Sequence, residues 1–303
     1  MSDRLDTRSI RFPASGHIWI PAHGRRAAAS GLSMHSPCRP LKVLAQRALW
    51  AGVRVAGPRL IPGERVVWQA PLPDDDWQGL LTQWRDAAGP FDGLTVYHRP
   101  QTGRTGFAAL LLRAGHGVAF ARLHPDAGRI QREFTVVSGV HRAQPRSFRV
   151  AEPIATGSGA LAWMLTASVP NYPLGALRSA RRRSAVADEI GEILAGVLER
   201  PADAPAHWVP AHGDFTPWNV RTDLGGRVHV IDWEDAGYAP PGADALYGAL
   251  TAHTTFGAPL PADAPEEARD WLDALIAERA ARESGSAAAN AELRRLLDSI
   301  PAR

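Results

Sequence analysis

The stretch AHGDFTPWNV, residues 211–220, is followed eleven residues after its asparagine by VIDWEDAG, residues 230–237. His212, Asp214, Asn219, Asp232 and Glu234 thus fall within one short part of the chain. Acid and amide side chains gathered this way either cap turns or hold a cation beside a reacting hydroxyl. Asp214 and Asn219 lie five apart across a loop containing Pro217. A helix would put them on different faces, but a loop can fold them to one point. Asp232 leaves the end of the short apolar run VHVI, a strand pattern. Oxygen-bearing side chains from two segments suit Mg²⁺, which takes few protein ligands and keeps water or phosphate oxygens elsewhere. Asp214 then remains as a carboxylate able to orient a hydroxyl and accept its proton.

The surroundings place this cluster. Upstream, GLTVYHR (93–99), TGFAALLLR (105–113) and GVAFARLH (117–124) are β-prone runs separated by the glycine turns PQTGRTG and RAGHG, which predicts an antiparallel sheet. DAGRIQREFTVVSGVHRA predicts a helix with Ile130, Phe134, Val137 and Val140 on one face. SFRVAEPIA and ALAWMLTASV resume strand character. After PNYPLG the pattern is mostly helical, beginning with ARRRSAVADEIGEILAGVLER and ending with helices near 243–254, 265–283 and 287–299. Before the sheet, RPLKVLAQRALWAG and DDDWQGLLTQWRDAAG read as helices, the second with Asp74, Asp75 and Asp76 at the positive end of its dipole. The first forty residues read as irregular or as short strands, such as around HIWIPA. The order is α+β with two lobes. The expected division is residues 1–92 as an extension packing on the N-lobe, 93–169 as the N-lobe, and 170–303 as a helical C-lobe, the boundary falling where Pro170 and Pro173 break regular structure.

Composition narrows the function classes. The chain has 303 residues, 45% hydrophobic and 21% charged, which is enough apolar material for a sizeable core. No window approaches a membrane span, and MSDRLDTRSIRF lacks the apolar segment of a signal peptide. Cys38 is the only cysteine, which excludes an intrachain disulfide framework. The expectation is a cytoplasmic protein. The net charge of +3 is modest, and no nucleic-acid signature appears. The dense run RSARRRS reads as a solvated helix start. Lys42 is the only lysine, so arginine supplies nearly all positive charge.

HGDFTPWN followed by VIDWE resembles the catalytic and metal-binding segments of aminoglycoside phosphotransferases and related choline-kinase-like small-molecule kinases, which share the protein-kinase-like fold. The resemblance is sharp over about residues 207–247 and looser over 93–206. It implies that Asp214 is the base toward the acceptor hydroxyl and that Asn219 and Asp232 hold Mg²⁺ on the phosphates of ATP or another nucleoside triphosphate. It implies that His212 braces the catalytic loop, that Glu234 supports the site or helps hold a second cation, and that Asp244 ties helix and loop backbone together. In such enzymes the protein holds donor, metal and acceptor in line and neutralises developing charge.

The same resemblance places Gly103 and Gly106 over phosphates and the backbone of Leu165 to Ser168 beside adenine. It also expects a lysine on the third strand paired to a glutamate on the next helix. Here those positions hold Arg122 and Glu133. Arg keeps the charge but is longer and planar. Three readings follow: a kinase of a small hydroxylated molecule such as a sugar, aminoglycoside, amino alcohol or glycan precursor; a pseudokinase-type nucleotide-binding or scaffolding module; and a metal-dependent hydrolase. The first uses all three of Asp214, Asn219 and Asp232.

Overall fold

The computed structural model describes residues 5–13, 16–35, 37–98, 106–170, 172–282 and 287–303. Its N-terminal half is built on one antiparallel sheet of eight strands in the order β3-β1-β2-β4-β5-β6-β8-β7. In chain order these are β1 (Arg8–Phe12), β2 (Ile18–Pro21), β3 (Glu64–Val67), β4 (Gly93–His98), β5 (Phe107–Arg113), β6 (His116–His124), β7 (Pro153–Gly157) and β8 (Ala162–Ala167). The hairpin pairing of β4, β5 and β6 follows the alternating runs and glycine turns of the sequence. Strand β5 is apolar throughout because all of its residues but Arg113 are buried. Trp77 and Trp84 of helix α3 (Asp74–Ala88) pack with Phe107, Ala109 and Leu111 in one core cluster.

The first ninety residues do more than pack on this sheet. Strand β2 pairs directly with β4, so β1, β2 and β3 extend the ladder. Helices α1 (Arg25–Leu32) and α2 (Pro40–Ala56) connect them, with a 3-10 turn at Pro58–Leu60. Their shortness and mixed polarity hide β1 and β3 from a periodicity reading, since four or five residues give too few repeats of the alternation.

Helix α4 (Ala127–Arg142) starts where Asp126 accepts a hydrogen bond from the Arg129 N–H. It buries Ile130, Val137 and Val140 as its spacing predicts, and Glu133 with them. The strand expected across SFRVAEPIA begins late. Residues around Arg149 instead bond to Val228 and Val230, and Phe148 sits in the C-lobe core near Trp233, so only the later part joins the sheet as β7.

The C-terminal half contains β9 (Gly175–Ala176), α5 (Ala180–Leu194), β10 (Val209–Ala211), β11 (Val220–Thr222), β12 (Val228–Val230), β13 (Gly237–Ala239), α6 (Ala243–Phe256), α7 (Glu266–Arg282) and α8 (Ala287–Asp298). Ser179 caps α5, so the RSARRRS run is a helix start with exposed Arg178, Arg181 and Arg182, as expected. Arg183 departs from that reading. It is buried, bonding the carbonyls of Leu177 and Arg178. One core cluster joins α4 and α5 to Phe215, Val220, Val230 and Trp233, and so lies directly beneath the polar loops.

Candidate active site

Strands β10 and β13 pair, and β11 pairs with β12. The loop from His212 to Asn219 runs between β10 and β11, and Asp232 to Asp235 lie between β12 and β13. The main chain joins these loops: Ile231 N–H donates to the Asn219 carbonyl at 3.0 Å. Asn219 and Asp232 are therefore neighbours in space, as their assignment to one cation requires.

The loop from His212 to Asn219 is fixed from below. Asp244, in the first turn of α6, accepts from His212 N–H at 2.6 Å and from Gly213 N–H at 3.0 Å. Burial pushes its carboxyl pKa up, opposed by His212 and by these two amides. His212 is fully buried, with its ring 4.7 Å from that of Trp233. Its Nδ1 accepts from Asp214 N–H at 3.3 Å, so the ring hydrogen sits on Nε2 and is donated to the Ile231 carbonyl at 3.2 Å. Burial lowers its pKa, the nearby carboxylates only partly opposing this, so the imidazole is held neutral. Gly213 has φ 78°, and a Cβ there would lie 2.1 Å from the Asp235 carbonyl oxygen. Only glycine fits where the two loops touch.

Asp214 is buried, with both carboxylate oxygens engaged. Asn219 Nδ2 donates to Oδ2 at 2.7 Å, and Arg279 Nη1, from α7, donates to Oδ1 at 3.0 Å. The same guanidinium reaches Tyr247 Oη at 2.5 Å and Asp235 Oδ2 at 3.1 Å. Burial disfavours its charge, but Asp214 and Asp235 are among the partners that outweigh this and raise its pKa above the ordinary arginine value. Burial likewise raises the Asp235 carboxyl, against the pull of Arg279.

On the sheet side, Arg122 leaves β6 and reaches both α4 and the loop after β12. Its Nη1 is 2.9 Å from Glu133 Oε1 and 2.5 Å from Asp232 Oδ1, while Nη2 bonds Glu234 Oε2. Arg129, one helical turn before Glu133 on α4, pairs with Glu234 at 2.8 Å. Burial works against the Arg122 charge, but Glu133, Asp232 and Glu234 outweigh it and its pKa lies above the ordinary value. Asp232 itself adopts φ 65°, a left-handed conformation uncommon for a side chain other than glycine. That strained turn sits where the strand pattern ends and the carboxylate meets Arg122.

The residues present fit a hard divalent cation. Asn219 spends its amide nitrogen on Asp214, which leaves Oδ1 as its ligating atom, and Asp232 supplies carboxylate oxygen from the adjoining segment. Among the described residues no group of three His, Cys, Asp or Glu side chains is arranged to hold a metal. Two oxygen ligands from Asn219 and Asp232 match the sparse protein coordination of Mg²⁺.

Other expected positions fare differently. Gly103 lies outside the described residues. Gly106 has φ 99°, and a Cβ on it would fall 2.2 Å from the Leu123 carbonyl oxygen, so close approach to β6 accounts for the glycine. Leu165 is buried inside β8, between Ala121 of β6 and Ala155 of β7. Its backbone lies within the sheet, paired on both sides. Ser168 lies beyond the end of β8, where its hydroxyl donates to the Gly117 carbonyl. Arg129, Asp235, Tyr247 and Arg279 join the site without a motif to announce them. Arg129 alone left a trace, lying four residues before Glu133 on the same helix face.

Known proteins resemble part of this chain. Residues 159–284 match the model of APH, the phosphotransferase enzyme family. The matched segment holds Asp214, Asn219, Asp232, Asp244 and Arg279. No curated protein sequence matches the chain. Among solved structures, spectinomycin phosphotransferase APH(9)-Ia in complex with ADP and spectinomycin is 12% identical, with 69% of this chain and 85% of that chain covered and a TM-score of 0.44. Macrolide 2'-phosphotransferase MphH from Brachybacterium faecium is 16% identical, covering 75% of this chain and 100% of that chain, with a TM-score of 0.44. Aminoglycoside phosphotransferase APH(3'')-Id from Streptomyces rimosus is 18% identical, covering 74% and 97%, with a TM-score of 0.39. Residues 159–284, which hold both polar loops, thus resemble the phosphotransferase enzyme family, APH.

Proposed function

We propose that this phosphotransferase moves the terminal phosphoryl group of ATP, or another nucleoside triphosphate, to a hydroxyl of a small molecule such as a sugar, aminoglycoside, amino alcohol or glycan precursor. The observation that carries the reading is the joined pair of loops: Asp214 and Asn219 bonded to each other, with Asp232 brought beside them through the Asn219–Ile231 main-chain bond. Asn219 Oδ1 and Asp232 would hold Mg²⁺. When bound, that cation draws charge from the phosphate oxygens during transfer.

The chain's own groups do the rest. Asp214 orients the acceptor hydroxyl and takes its proton, a task for which it must share or give up the Arg279 contact on Oδ1. Arg122 carries the positive charge for phosphate oxygens and is aimed by Glu133 and Glu234. His212 and Asp244 keep the loop backbone in place, so Asp214 is already positioned when the acceptor arrives. The decisive experiment is a phosphoryl-transfer screen of sugars, amino sugars, aminoglycosides and amino alcohols with Mg²⁺-ATP, with Asp214→Asn as control. Transfer by the protein and none by the variant supports the reading. Transfer by both would sink the assigned base.

A second reading has its own observation. Arg122 occupies Asp232 Oδ1 and Arg279 occupies Asp214 Oδ1, the atoms that transfer needs. A nucleotide-binding or scaffolding protein with little turnover would keep those pairs. Tight Mg²⁺-ATP binding with no turnover on any acceptor would favour it.

A further inference from the structure

Helix α2 turns an apolar stripe away from the protein. Leu41, Leu44, Ala48, Ala51 and Val55 recur at alternating spacings of three and four and are all exposed, Leu41 by 82%, Leu44 by 66% and Val55 by 72%. Val43, Gln46 and Val53 form the side that is buried. Leu60 extends the stripe: it is 48% exposed, and its Cδ1 lies 3.1 Å from where a Cβ on Gly52 would stand. A surface helix ordinarily shows charge on its outer face. One that is apolar on both sides has a second contact to make.

Charge says with what. From Pro37 to Gly63 the chain has five arginines and lysines and no aspartate or glutamate, although the whole protein carries only +3. Arg39, Lys42, Arg54 and Arg59 are exposed at or beside α2. Among the described residues, none of these four has a carboxylate partner. The Arg54 guanidinium lies 4.9 Å from the centre of the Trp50 ring, which holds it at the flank of the helix.

We infer that α2 and the Pro58–Leu60 turn form a docking face for an anionic lipid surface. Aliphatic side chains would enter the headgroup boundary while the basic rim meets lipid phosphate. A second copy of the chain would bring two positive rims together, which like charge opposes. A nucleic acid would use the arginines but has no need of four exposed large aliphatics. The stripe also lacks the Trp and Tyr anchors that dominate protein hot spots. No helix among the described residues is long and apolar enough to cross a membrane, so the contact is peripheral. The inference stands independently of the phosphotransfer reading.

The test is flotation of the full chain with vesicles of phosphatidylcholine containing roughly one-third phosphatidylglycerol, against phosphatidylcholine alone. The expected result is at least about tenfold more protein on the anionic vesicles, lost in salt on the order of 0.5 M. A variant combining Leu41→Ser, Leu44→Ser and Val55→Ser should lose binding with an unchanged melting temperature, since these side chains are exposed. Lys42→Glu with Arg54→Glu should lose it as well. Absence of wild-type binding to the anionic vesicles would overturn the inference, as would retention of binding by the serine variant. So would a wild-type dimer that the serine variant makes monomeric, which would show α2 to be a self-contact.

Discussion

On one side of the site, Asp214 is placed through the main chain. Asp244 holds two consecutive N–H groups, His212 bridges Asp214 to Ile231, and Gly213 fits a contact that excludes a Cβ. On the other side, Arg122 is held by ion pairs alone, to Glu133, Asp232 and Glu234. Backbone bonds in a dry core have no competing partner and keep one geometry. Ion pairs between side chains can be exchanged for pairs to incoming phosphates and a cation, provided that no charge is left without a partner. Under the proposed function, the difference teaches that the Asp214 side is assembled before substrate arrives, whereas the Arg122 side is satisfied by charges that substrate would redistribute. Arg279 belongs to both classes: it stands on a rigid helix and touches Asp214 through an ion pair.

The most severe way to break the comparison is Asp214→Asn. It keeps the shape and removes the base, so kcat should fall roughly 10²- to 10⁴-fold while Mg²⁺-ATP binding and folding persist. Steady-state transfer to an acceptor from the screen measures this, and wild-type turnover would remove Asp214 from the role. Asp244→Ala comes next. Two buried N–H groups lose their acceptor at about 1–3 kcal/mol each. Denaturant unfolding should register that loss, and an unchanged midpoint would mean that the loop is held by something else.

Arg122→Lys sharpens the other side. One ammonium cannot span the three carboxylates that the planar guanidinium reaches, so KM for Mg²⁺-ATP should rise about tenfold. Improved activity would instead mark the arginine as a handicap. Arg279→Lys should act least on turnover, because the charge beside Asp214 is kept while the reach to Tyr247 and Asp235 is reduced. A few-fold change in kcat is expected. A loss as large as that of Asp214→Asn would mean that the fork geometry itself is needed for transfer.

The Asp214–Asn219 pair was legible because its members sit within a few residues of one another, so spacing alone could bring them together. The β4–β6 hairpins and most helices were legible because their apolar periods run long enough to declare themselves. The N-terminal strands were too short for that.

The sequence by itself determined the α+β order, the acid–amide cluster and the substitution of arginine for the expected lysine. Only the tertiary structure decided that residues 8–67 extend the sheet, that Arg122 reaches across to Asp232 and Glu234, and that Arg279 comes to rest on Asp214, 65 positions away in the chain. The physical reason is range. Turn chemistry and helix faces are set by neighbours along the chain, whereas a buried charge selects whatever opposite charge the packed core brings within about 3 Å, and no local pattern encodes that meeting.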